Sequence, residues 1–359
     1  MPSPELSKPA NTSTVMLTPT QIHDFGVALL ERLGFPTEDA NHLASAWTWA
    51  ARRGKPTHSI IRVLQVANAL RTDHLRITND WSPVHETATT TLIDARDAFG
   101  VIAGSRGMHI AIEKARKYGC AVTTVRDCDN TGALGMYPAI AVAEGMIGMA
   151  ITSGTPIMGA WGGAKPIMGN QAFSIGAPAG KNSPLLLDMH LAAGSLATVR
   201  ERAAAGKPLP AGIAADMNGV ATTDSRAAAA AGIMLPMAGY GGYGLAVMWE
   251  MLTGVLSGGR VLDEHSPQPA PGESARLSLF LMAIDPRGFI PQEEFTAGVD
   301  RLIDRIHALP TAPGVDRVRV PGDTGGEFSN SYPDALPVST ADLDRIRPLA
   351  DKLGVPMPG

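Results

Sequence analysis

The segment RGKPTHSIIR, Arg53 to Arg62, carries an imidazole and a guanidinium four residues apart. An imidazole titrates near neutral pH and can give or take a proton in place. A guanidinium offers a planar fork that grips a carboxylate through two parallel hydrogen bonds. Thr57 adds a hydroxyl beside the ring. If the chain is helical from Ser59 onward, His58 and Arg62 share a face and converge on one small anion. Spacing alone does not make this a site, because a His/Arg pair one turn apart is more often a solvated helix face. Asp188 closes the apolar run LLLDMH, where a carboxylate at a strand exit orients a partner or meets solvent, and His190 follows it.

Other chemistries find no support. His23, His42, His74, His85, His109, His265 and His307 show no second histidine and carboxylate at metal-ligand spacing. Two cysteines, Cys120 and Cys128, cannot build a Cys-based metal site or a disulfide framework, so no metal is expected. Neither a G-x-S-x-G elbow nor a Walker-type GK[ST] occurs. GYGGYG at 239–244 matches G-x-G-x-x-G, with Asp263 about 20 residues on. Its context fails: IMLPMA precedes it, and Pro236 stands where a central strand would run. The glycines suit close backbone approach at a helix start. Glu250, inside an apolar helix, reads as a satisfied buried acid.

These residues need a scaffold. Thr18-Pro19 opens a helix that carries Phe25, Leu29, Leu30 and Leu33 and stops at Gly34. A second starts near Thr37, with Glu38 and Asp39 in its first turn, and runs to Gly54. A third begins after Pro56, with Ile61, Leu64 and Ala67. Beyond residue 86 short β-branched runs alternate with helices, as in an α/β or α+β domain. TATTTLIDA, CAVTTVRD, IGMAITS and LSLFLMAID read as strands, as does VDRVRVPG near residue 315, and LLLDM reads as a buried strand. Helices are expected over 100–118, MYPAIAVAEG, 193–206, GYGLAVMWEMLTGVLSG, PQEEFTAGVDRLIDRIHAL, and from a Thr340 cap through Leu353. Residues 265–275 read as an exposed loop.

Of 359 residues, 45% are hydrophobic and 18% charged, enough apolar material for a large core in two or three domains. Thirty Lys and Arg against 34 Asp and Glu leave a formal charge of −4, which gives phosphate backbones nothing to seek. No apolar run reaches the roughly 18 residues of a membrane helix. Residues 1–16 read as a disordered tail without a signal peptide's apolar stretch. Sparse cysteine fits a reducing, cytoplasmic setting.

Together the segments resemble the malate/L-lactate dehydrogenase-like family of NAD(P)-dependent oxidoreductases, whose members include ureidoglycolate dehydrogenase, sulfolactate dehydrogenase and the piperideine-2-carboxylate reductases. RGKPTHSIIR stands for the family's RG-x-x-SHG-x-x-R. EKARKYGCAVTTVRDCDNTGALG stands for an EKA helix, a strand and NHFG-x-AG. AWGGAKPIMGNQA matches P-x-GG followed by LGTNP. LLLDMH matches LDMA, AGYGGYGLAVMWEMLTGVLSG matches GGYKGYGLALMVELLAGVLSG, and VPGD matches a late PGE. The likeness spans roughly residues 18–325.

The resemblance implies a non-Rossmann α+β fold. It would combine a mixed, largely antiparallel sheet domain for the nucleotide (86–289) with a helical domain built from both chain ends (17–85 with 290–359). It implies a homodimer, and a hydride passed between the nicotinamide of NAD or NADP and C2 of a small 2-oxo or 2-hydroxy acid or cyclic ketimine carboxylate. By position, His58 is the proton donor, Thr57 the hydroxyl beside it, Arg62 the carboxylate anchor, and Asp188 meets the nicotinamide end. Asn130 and Asn170 fall near the substrate. Asn130, Thr131, Gly132, Ala133 and Leu134, then Asp188, Met189 and His190, then Tyr240 with Gly241, and the Pro321-Gly322 turn correspond to cofactor-contacting segments. Arg317 and Arg319 lie where a 2′-phosphate could be met. Departures cluster at these positions: Asn130 for a histidine, Gly241 for a lysine, His190 for an alanine, Ser59 for a glycine, and Asn170-Gln171-Ala172 for TNP. They leave open a second reading, a diverged member doing non-redox proton transfer, elimination or isomerisation on a small carboxylate.

Overall fold

The computed structural model describes residues 13–78, 80–266 and 274–359. The helix Pro19–Arg32 starts as the sequence predicts, with Thr18 and Gln21 exchanging side-chain and backbone bonds in a capping box. Thr37–Arg52 packs against it. Residues Thr14–Leu17, expected within a tail, form a strand instead, paired antiparallel with Leu336–Ser339. Four backbone partners and the burial of Leu17 order a segment that composition alone would leave loose. From that strand the chain enters the helix Thr340–Leu353, which is capped by Ser339, not Thr340. This helix packs on Pro19–Arg32 and on the helix Val63–Arg71, so the two chain ends close on each other.

The central layer is a seven-stranded sheet. Its order is His85–Glu86, Thr90–Asp94, Cys120–Cys128, Leu277–Ile284, Ile147–Thr152, Phe173–Ala177 and Leu185–Met189. Every pairing is antiparallel except Thr90–Asp94 with Cys120–Cys128. That parallel step is bridged by the helix Gly100–Tyr118, a βαβ crossover. This helix and Met136–Ala143 cover one face, where Ile93, Ile102, Met108 and Leu281 are buried. A five-stranded sheet of short strands, including Met158–Gly159 and Ile233–Met234, forms a second core with Ile151, Phe173 and Phe280. The helix Tyr240–Glu250 also packs there, through Ala246. The arrangement is a mixed α/β fold with a mostly antiparallel sheet.

Three further expectations need correction. Leu185–Met189 is an edge strand and only half-buried, because only Phe173–Ala177 flanks it. VDRVRVPG is not a strand: Asp316 and Arg319 pair with each other through two bonds of 2.8 and 2.9 Å, a local tie that leaves no ladder partner. Of the 265–275 loop, residues 267–273 lie outside the described residues, while His265 and Ser274 at its two ends are buried rather than exposed.

Candidate active site

The helix Thr37–Arg52 delivers Trp49, Arg53 and Lys55 to one end of the molecule. A sharp turn follows at Gly54, where φ is +67° and a Cβ would press within 2.9 Å of the Phe328 ring. Pro56–His58 then forms one 3₁₀ turn, with the His58 N–H donating to the Lys55 carbonyl at 3.0 Å. Ser59 is extended (φ −94°, ψ −157°), a second 3₁₀ turn covers Ile60–Arg62, and the α-helix begins only at Val63. The expected continuous helix is therefore broken at Ser59, and the shared helix face of His58 and Arg62 does not exist.

Thr57 joins them instead. Its hydroxyl lies 3.1 Å from His58 Nδ1, and its carbonyl accepts Arg62 Nε–H at 2.7 Å. Arg62 Nη1 also donates to Gln65 Oε1 at 2.6 Å. With Nε committed, a carboxylate can be gripped only end-on, through Nη1 and Nη2. Burial first, then the charges of Arg62 and Lys55, push the His58 imidazole down to about 4, against the opposing pull of Asp188. The free protein thus holds a neutral ring at neutral pH. Because a hydroxyl both donates and accepts, Thr57 can support either tautomer, leaving Nε2 as base or as acid.

Asp188 stands opposite Ser174 on the edge strand. Lys55 Nζ makes an ion pair with its Oδ2 and lies 5.8 Å from the Trp49 ring centroid. Arg53 feels the same carboxylate and donates through Nη2 to the Gly322 carbonyl at 3.1 Å. A Cβ on Gly135 would come within 2.8 Å of both Asp188 Oδ2 and Trp49. Only glycine leaves that carboxylate its place. Gly322, at φ +108°, seats the Pro321-Gly322 turn on the edge strand, where Leu186 N–H donates to the Pro321 carbonyl at 3.0 Å. Lys55 and Arg53 were not singled out from sequence. The sequence offers only that both are cations within the same ten residues as His58; the pairing of Lys55 with Asp188 leaves no local signal.

The other candidates are placed as follows. Asn130 Oδ1 accepts the Gly132 N–H at 2.9 Å, which closes the turn. Thr131 offers its carbonyl to the buried Tyr137 hydroxyl at 2.7 Å. Asn170 binds the Leu191 N–H through its carbonyl at 2.8 Å, linking it to the segment after Met189 and His190. Tyr240 keeps different company, edge-to-face with Trp161 at 6.3 Å, both rings exposed. In the glycine motif, a Cβ on Gly242 would lie 1.8 Å from the Met237 carbonyl, whereas Gly241 has nothing within 4 Å. Arg317 and Arg319 are engaged by Asp316, Asp323 and Glu327, so they are not free cations. Glu250 is satisfied, as expected, by Gln171 Nε2 and by the Leu262 N–H at 2.6 Å.

A dinucleotide needs donors that the chain has not spent on itself. Among the described residues, the backbone N–H groups of Ala133, Leu134 and Gly135 donate to no other part of the chain, although these residues are buried. Buried amides left over at the start of a helix suit a polar ligand. They lie beside Asp188, and the residues present fit the group.

Comparison with known proteins places the chain in a family. The malate/L-lactate dehydrogenase family model matches residues 17–343. A malate dehydrogenase of Pyrococcus abyssi is 29% identical over 349 residues, covering 95% of this chain and 96% of the relative. An L-sulfolactate dehydrogenase of Methanocaldococcus jannaschii is 30% identical over 341 residues, 95% of this chain and 98% of the relative. The solved sulfolactate dehydrogenase from M. jannaschii superposes with a TM-score of 0.87 at 29% identity, over 96% of this chain and 98% of that one. The δ1-piperideine-2-carboxylate reductase from Pseudomonas syringae gives 0.83 at 25% identity, over 94% and 100%. A match along nearly the whole length, on the same fold, means that this chain belongs to the malate/L-lactate dehydrogenase family of NAD(P)-dependent oxidoreductases.

Proposed function

We propose that the protein transfers a hydride between the nicotinamide of NAD or NADP and C2 of a small 2-oxo or 2-hydroxy acid, or of a cyclic ketimine carboxylate. The observation that carries this reading is the junction at Thr57, where one residue ties an imidazole to a guanidinium. Arg62 holds the substrate carboxylate end-on through Nη1 and Nη2. His58 then stands beside the neighbouring carbon's oxygen or nitrogen and takes or gives the proton through Nε2, while Thr57 holds Nδ1. Asp188, fixed by Lys55, lines the nicotinamide end. The segment 130–134, with Asp188, Met189, His190, Tyr240, Gly241 and the Pro321-Gly322 turn, would hold the cofactor, and Asn130 and Asn170 would touch the substrate. When bound, the cofactor supplies the hydride or accepts it at C4.

Two domains, 17–85 with 290–359 and 86–289, would meet at this site. The working form is a cytoplasmic homodimer. Supporting this, the helix Tyr240–Glu250 and its continuation bury Gly242, Ala246 and Glu250 but expose Leu245, Val247, Met248, Met251, Val255 and Leu256. An apolar half-cylinder facing water marks an interface. No helix among the described residues is long and apolar enough to cross a membrane.

The test is a titration with NADH and NADPH, followed by a screen of 2-oxo acids and cyclic imino acids for nicotinamide oxidation. Arg62→Ala should raise KM sharply, and His58→Ala should lower kcat by about 10²–10⁴-fold. A fully active His58→Ala enzyme would remove the mechanism. Turnover of a carboxylate without nicotinamide oxidation would favour the non-redox reading.

A further inference from the structure

Lys55 is not needed to bind the substrate carboxylate, which Arg62 serves, and it is not the group proposed to move a proton. Yet it is held with care. Its ammonium is paired with Asp188 across 133 residues of sequence, and it lies over Trp49. Its own carbonyl receives the His58 N–H, so the lysine and the histidine share one 3₁₀ turn. Arg53 feels the charge of Asp188 but makes no ion pair with it, and is bonded instead to the Gly322 carbonyl. The charged groups that bear on the His58 ring are Arg62 and Lys55 from its own segment and Asp188 from the edge strand.

We propose that Lys55 is a positioning residue for His58: clamped on Asp188 and joined to the histidine through one 3₁₀ turn, it masks that carboxylate from the imidazole until an anionic substrate is bound. This rests on the acid–base role given to His58 above. The physical reason is charge placement. Were Asp188 free, it would stand as an unpaired carboxylate near a partly buried imidazole and would favour the imidazolium. With Lys55 on it, the nearest net charge is positive. A substrate carboxylate on Arg62 reverses the balance by adding a negative charge beside the ring. Proton uptake at His58 is then coupled to arrival of the guest.

The experiment is a titration of the histidine Cε1–H signals by NMR in the free protein, with the His58 signal identified by its loss in His58→Ala. The wild-type midpoint should lie at about 4. Lys55→Met should move it up by roughly half a pH unit or more, because it removes a positive neighbour and unmasks Asp188. Lys55→Arg, which keeps the charge, should stay near wild type. The acid limb of the pH profile for oxidation should move with the NMR midpoint. An unmoved midpoint in Lys55→Met, or an equal movement in Lys55→Arg, overturns the inference. Unchanged thermal midpoints in both variants guard against simple unfolding. If His58→Ala abolishes turnover while Lys55→Met leaves the midpoint alone, only this inference fails. If His58→Ala is fully active, the acid–base reading fails with it.

Discussion

The depressed His58 dictates which direction of the reaction feels pH. Reduction consumes one proton with the hydride, so the equilibrium ratio of forward to reverse specificity must change tenfold per pH unit. What the enzyme decides is which direction shows the change. An ordinary histidine at 6.5 stays protonated on the acid side of neutrality. Reduction would then be flat between about 4 and 6.5, and oxidation would climb tenfold per unit. With His58 at about 4, held there first by burial and then by Arg62 and Lys55, the assignment inverts across that window. The kcat/KM for oxidation should be flat, because the base is already neutral. The kcat/KM for reduction should fall about tenfold per unit, because at pH 7 only about one ring in a thousand carries the proton. Once the carboxylate is on Arg62, a unit charge about 4 Å away is worth about 4 kcal/mol at an effective dielectric of 20, enough to restore the imidazolium. The kcat for reduction should therefore be far less pH-dependent than kcat/KM. The assay is initial rates at limiting and saturating 2-oxo acid and 2-hydroxy acid, followed by nicotinamide absorbance. A reduction kcat/KM that is flat from pH 4 to 6.5, with oxidation climbing, would refute the reasoning outright.

Three other outcomes follow from packing. Glu250→Ala should destabilise the protein by about 2–4 kcal/mol in denaturant melts, since it strands the buried Gln171 amide and the Leu262 N–H together. Gly242→Ala should prevent native assembly or lower the melting temperature strongly, its Cβ falling 1.8 Å from the Met237 carbonyl, whereas Gly241→Ala, with open space around it, should melt like wild type. Val255→Glu, at a 63% exposed position on the apolar half of its helix, should turn the proposed dimer into monomers in sedimentation while keeping the fold, and a wild type that sediments as a monomer refutes that interface.

Local rules made much of the fold legible. The Thr18-Pro19 start, the helix over Gly100–Tyr118 and the strand over Leu277–Ile284 each carry their own capping or periodicity, and each is where the sequence places it. Errors arose where a partner far along the chain decides. Thr14–Leu17 becomes a strand only because Leu336–Ser339 lies alongside. The Leu-Leu-Leu run before Asp188 looks like a central strand. It is an edge because no strand pairs with its outer side, where the Leu186 N–H goes to the Pro321 carbonyl of a turn instead. In VDRVRVPG an alternating pattern imitates a strand, while the charged residues in it are spent on ion pairs with Asp323 and Glu327.

At the proposed site the residues come together for a different geometric reason than their spacing suggested. A one-turn spacing suggested a helix, but Ser59 is extended and no helix links His58 to Arg62. A helix would have pointed both side chains along one stripe and left the backbone between them spent on its own ladder. The two 3₁₀ turns do something a helix cannot. They free the Thr57 carbonyl to take Arg62 Nε while the Thr57 hydroxyl takes the ring nitrogen, so one residue sets the orientation of both groups. Under the proposed reading a threonine can serve as well as a serine there, because the two contacts use the backbone carbonyl and a hydroxyl that both residues carry. Lys55 escaped notice for a separate reason. Its importance lies in Asp188, 133 residues away, and no periodicity within RGKPTHSIIR encodes that meeting.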